Sequence, residues 1–140
     1  MSEEQAQVLL QQMQAMESYL NDLLQREETV MRFLQDATNA VESMKLLTGN
    51  AEYETLIPVG LGVYIKGKIN PDQKLIVNIG AGISVEQNKE SAINYTESRI
   101  KELEMALQQL VSQRQEVSMR LEQGQQEMNK LIQSNRGPTQ

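Results

Sequence analysis

The sequence predicts an α+β chain: a long antiparallel coiled-coil hairpin with two β-hairpins at its centre. Three observations carry this. Residues 4 to 47 hold no Gly and no Pro, with apolar residues at spacings of three and four. The same spacing returns from about residue 90. Between them the period changes to two, and the chain reads "VGLGVYI" from Val59 and "IGAGISV" from Ile79.

In the first helical stretch, expected over 4–48, Ala6, Leu9, Met13, Met16, Leu20, Leu23, Val30, Leu34, Ala37, Val41 and Met44 occupy heptad a and d positions. More than five heptads in sequence are the signature of a coiled coil. Glu27 stands at an a position, and Gly49 is expected as the C′ residue. In the second stretch, expected over 89–134, Ile93, Ile100, Leu103, Leu107, Leu110, Val117, Leu121, Met128 and Leu131 hold the seam, and Thr96, Arg114 and Gly124 interrupt it. Asn88 is placed to cap it, with Glu90 in the first turn. Each helix would have roughly 44 residues and be ~65 Å long.

Folded back on each other, the helices pair a with d′ when facing residue numbers add to 137. Met44 then faces Ile93, Leu34 faces Leu103, Leu20 faces Val117 and Leu9 faces Met128, so every seam residue finds a partner. Glu27 and Arg114 fall in adjacent layers. Either they meet as an ion pair, which would fix register more than add stability, or each is a solvated irregularity. Gly124 faces Met13 and would leave it no knob to pack on.

From Thr55 to Glu86 the alternation predicts strand, Gly-Leu-Gly, strand, "NPDQ", strand, Gly-Ala-Gly, strand. Pro71 is pre-set for the second position of its turn, and Gly60, Gly62, Gly80 and Gly82 punctuate the hairpins. A dinucleotide fingerprint would need a third glycine where Ile65 and Val85 stand, and a helix after it. Four short strands cannot close on themselves, and open edges are pairing surfaces. Val59, Val63, Ile65, Leu75, Val77, Ile79, Ile83 and Val85 are the expected subunit interface, each hairpin serving a different neighbour.

Composition narrows the function. The 140 residues carry a formal charge of −6, no Cys and no His. Acidity argues against nucleic acid and anionic membranes as partners. Without Cys or His the usual thiolate, zinc and neutral-pH acid–base chemistry lacks its residues. No metal, cofactor or catalytic residue is expected, and the chain is read as a non-enzyme. "MSEEQAQ" is too acidic for a signal peptide, and no apolar run approaches the ~18–20 residues of a spanning helix. The expected compartment is the cytoplasm.

The central residues "LIVNIGAGISVEQNKESAINYTESRI" (75–100), supported by "LIPVGLGVYIKGKI" (56–69), resemble the alpha class of prefoldin subunits. The resemblance covers essentially the whole chain as one domain, although many relatives have Asp at the place of Asn78. The absence of extensions looks archaeal rather than eukaryotic. The resemblance implies that the two hairpins join an oligomeric double β-barrel of two alpha and four beta subunits. Coiled coils would project from this hetero-hexamer and hold unfolded polypeptide at their tips for delivery to a group II chaperonin, without ATP. The tips are the chain ends. There Val8, at c, and Leu10 and Ile132, at e, exceed what the seam needs. With Leu9, Met13, Met128 and Leu131 they are the expected client-binding residues. The alternative is a structural coiled-coil scaffold that binds no client.

Overall fold

The computed structural model describes residues 2–135. Element order is α1 (Ser2–Lys45), β1 (Tyr53–Gly60), β2 (Val63–Ile69), β3 (Leu75–Gly80), β4 (Ile83–Gln87) and α2 (Lys89–Asn135). Contacts divide the chain into two compact units, residues 1–33 with 103–140 and residues 34–102.

In the first unit the helices meet along the expected seam. Its a and d residues are all buried or half-buried. Leu23 is fully buried, and Met13 and Val117 are nearly so. The register is visible at Gly124: a Cβ there would lie 3.2 Å from Met13 Cγ, and 13 and 124 add to 137. This corrects the reading of that layer. Met13 is not left without a contact. Its flexible side chain folds into the notch that glycine leaves and is 7% exposed. Glu27 and Arg114 meet as the adjacent-layer geometry allows. Arg114 Nε donates to Glu27 Oε2 at 2.6 Å, with the Glu27 side chain 11% exposed and that of Arg114 32% exposed.

In the second unit Val41 and Ala92 are buried. Asn88 caps α2 as expected: its Oδ1 accepts from Ser91 N at 2.8 Å, and its carbonyl accepts from Ala92 N. The end of α1 differs from expectation. The helix stops at Lys45, with the bonds tightening to i→i−3 at Ser43 and Met44. Gly49 has φ 89° but stands four residues beyond the last helical residue, so it is not the C′ position. Instead Lys89 Nζ donates to Leu47 O at 2.7 Å. A cation on the carbonyls past a helix C-terminus serves the purpose a left-handed glycine would have served. Lys45 and Glu97 lie 3.6 Å apart across the seam at facing e positions.

The hairpins form two separate two-stranded antiparallel sheets, β1–β2 and β3–β4. Each Gly-x-Gly does two things. The second and third residues, Leu61 and Gly62 or Ala81 and Gly82, all have positive φ, which is the type I′ pattern that matches strand twist. The first glycine (φ 126° at Gly60, 107° at Gly80) follows a bulge at Val59 or Ile79. Across the second bulge, Asn78 Oδ1 accepts from Gly80 N at 2.9 Å; an Asp at this position would offer the same acceptor. The "NPDQ" turn closes with Gln73 N donating to Asn70 O and Asp72 N to Asn70 Oδ1.

Two outcomes are expected from the seam. In a double-mutant cycle by chemical denaturation, Glu27→Ala and Arg114→Ala should couple by about 0.5–3 kcal/mol. Arg114→Ala should cost more than Glu27→Ala, because it strands a buried carboxylate while the guanidinium keeps access to water. Gly124→Ala should be stabilising by less than about 1 kcal/mol, helix propensity outweighing a small shift of the flexible Met13. A lower thermal midpoint would show that Met13 cannot give way.

Candidate interaction surfaces

The first surface is on the hairpins. In β1–β2, cross-strand partners Ile57 and Ile65 share a face with Val63, and all three are exposed. Val59, at the bulge, is exposed as well. In β3–β4, Val77 pairs with Val85, and Leu75 lies on the same face; these three are half-buried, whereas Ile79 and Ile83 are exposed. The eight expected interface residues therefore divide into five open to solvent and three partly covered. The sequence reading missed Ile57, Leu56, Tyr64 and Ile76, which are also exposed. The cross-strand register was the missing information, since it is what puts Ile57 opposite Ile65. Among the described residues neither hairpin gains a third strand, so both keep unpaired edges.

The second surface is at the chain-terminal end of the first unit. A groove of about 520 Å³ is lined by Glu4, Gln5, Val8, Leu9, Gln12, Glu127 and Leu131. Of the seven residues expected to hold clients, Val8, Leu9 and Leu131 line it. Leu10 and Ile132 are exposed at e positions, Met128 is half-buried, and Met13 is buried in the seam. Client contact at Met13 would therefore require the helices to part. Glu27 and Arg114 lie deeper along the seam and belong to neither surface.

Among the described residues no group of His, Cys, Asp or Glu is arranged to hold a metal ion, and no helix is long and apolar enough to cross a membrane.

Comparison with known proteins gives these surfaces a context. The family model described as prefoldin subunit matches residues 3–134. A prefoldin subunit alpha of Nitrosopumilus maritimus is 51% identical over 96% of this chain and 92% of its own length. One from Methanoculleus marisnigri is 34% identical over 79% and 84%. Among solved structures, the filamentous PFD of Methanocaldococcus jannaschii superposes with TM-score 0.67 at 23% identity, over 79% of this chain and 92% of that one. The prefoldin beta subunit of Thermococcus strain KS-1 superposes with TM-score 0.62 at 21% identity, over 96% and 95%. The last two likenesses concern the fold alone. The family match over nearly the whole chain and the identity to alpha subunits settle the membership: this chain belongs to the prefoldin family, in its alpha class.

Proposed function

We propose that this chain is a single prefoldin-like domain acting as an ATP-independent holdase subunit. It binds unfolded polypeptide at the chain-terminal end of its coiled coil and passes it to a group II chaperonin. The observation that carries this reading is the exposed apolar surplus there: Val8, which lines the open groove, and Leu10 and Ile132 on the other flank of the seam. These residues are not needed to close the seam, and exposed apolar surface of this kind marks interaction sites.

The hairpins support an assembly role in the same reading. Val59, Val63, Ile65, Ile79 and Ile83 would be covered by neighbouring subunits, with beta-type chains completing a double β-barrel of two alpha and four beta chains. Hairpins with both edges open and apolar faces in water are marginal on their own. The cytoplasm is the compartment that fits a carrier of unfolded chains. Holding needs no catalytic residue and no cofactor.

Ile79→Asp should block assembly with a beta-type partner while leaving helix content by circular dichroism largely unchanged, because the seam does not include Ile79. Assembly to the same mass as the unaltered protein would remove the hairpins from the interface.

Deleting residues 1–12 and 129–140 should leave the assembled mass intact. Residues 13–45 of α1 and 89–128 of α2 remain, each stretch longer than the ~12–15 residues at which even isolated helices are marginal. Suppression of aggregation of a denatured enzyme should fall sharply, with or without ATP. Full protection by the truncated complex would favour the scaffold reading for the chain ends and move the client site elsewhere.

A further inference from the structure

In the first unit the seam leaves two flanks, and they differ in chemistry. One is made of the e and b positions of both helices, the other of the g and c positions. The e/b flank carries the apolar residues Leu10, Leu24, Met31, Val111 and Ile132, of which all but the half-buried Val111 are exposed. They align across the seam. Met13 against Gly124 fixes facing a and d positions at a sum of 137, which puts facing e positions, each one residue beyond a d, at a sum of 142. Leu10 with Ile132 and Met31 with Val111 add to the same number.

Charge separates the flanks further. On the g/c flank, Asp22 pairs with Arg26 at 3.0 Å and Glu116 with Arg120 at 2.8 Å, and Lys130 offsets Glu127. Among the described residues the e/b flank of this unit has Glu3, Glu17, Glu28, Glu104 and Glu122 and no Lys or Arg. Among the described residues none of these glutamates lies within salt-bridge distance of a cation. Its remaining edge is largely amide: Gln7, Gln14, Asn21, Gln108, Gln115 and Asn129.

We propose that the e/b flank of the first unit is a track for extended, apolar segments of unfolded polypeptide that carry lysine or arginine, and that it selects them over acidic ones. This rests on the holding function proposed above. The apolar row supplies burial. Side-chain amides offer both donors and acceptors to a backbone that has no secondary structure of its own. The unpaired glutamates favour cationic segments. From Leu10 to Met31 the track runs ~30 Å, the reach of about nine extended residues. A second copy of this chain is a poor occupant, because it would bring the same row of glutamates against this one.

The test uses the full chain in the assembly it forms, with two unfolded probes of opposite charge: reduced lysozyme, which is basic, and reduced α-lactalbumin, which is acidic. A photo-crosslinking residue at position 24 or 31 should capture reduced lysozyme far more strongly than one at Tyr19 or Phe33 on the g side. Leu24→Gln with Met31→Gln should weaken lysozyme holding by about ten-fold (about 1.4 kcal/mol), whereas Tyr19→Gln with Phe33→Gln should change it little. Changing Glu17, Glu28, Glu104 and Glu122 together to Gln should bring the two probes towards equal affinity. Circular dichroism and mass should be unchanged in each variant. Equal crosslinking from both flanks, undiminished holding by the Leu24/Met31 variant, or a change in its oligomeric mass overturns the inference while leaving the holdase reading standing. No holding by the unaltered assembly overturns both.

Discussion

A two-helix seam is one side chain thick, and that thinness governs the rest of the molecule. Among the described residues the buried side chains of the seam are Met13, Leu23, Glu27, Val41 and Val117; the other seam side chains stay partly wet. A heptad pattern this regular would tolerate a slip of seven residues at modest loss of apolar contact. The irregular layers resist it. Displaced by a heptad so that facing numbers add to 130, Glu27 would lose Arg114 and remain as an uncompensated carboxylate in the seam, which costs several kcal/mol. Displaced the other way, to 144, the two stay in adjacent layers and the Gly124 notch is what resists. Met13 would meet a side chain where it now occupies the Gly124 notch. The defects in the pattern are thus what make the register unique.

In the second unit Lys89 donates to the Leu47 carbonyl and Lys45 lies beside Glu97, tying the end of α1 to the start of α2. The hairpins that follow owe little to the seam. Their form comes from local chemistry: I′ turns, a bulge before each turn, and an Asx contact from Asn78. Within the first hairpin, a Cβ at Gly67 would come within 2.7 Å of the terminal carbon of Ile57, the movable end of an exposed side chain.

Much of this was legible because it is periodic or local. The a and d residues, the Asn88 cap, the turn at Pro71 and both Gly-x-Gly turns are signalled within a few residues of where they act. The Glu27–Arg114 pair was legible only as one of two alternatives, because layer adjacency does not say which way a long side chain turns. The parts that were not legible depend on partners distant in sequence. Gly49 looked like a helix terminator, but Lys89, far along the chain, supplies the polar contact beyond the helix end. Gly124 looked like a gap, because nothing local indicates that Met13 will bend into it. Ile57 was missed because its face is set by β2.

The distribution of charge shows why a thin seam suits an interacting coiled coil. A wide, dry core would consume the e positions, and nothing apolar would be left outside. Here the a and d rows suffice for pairing, so Leu10, Leu24, Met31 and Ile132 remain exposed. Solubility then has to be supplied around them without neutralising them. Long ion pairs beside the row would cover it with their own aliphatic stems, and in this unit the short-range pairs Asp22–Arg26 and Glu116–Arg120 lie on the opposite flank. Lone glutamates and short amides keep the apolar row wet but uncovered. The same residues that make the flank soluble leave its apolar surface available.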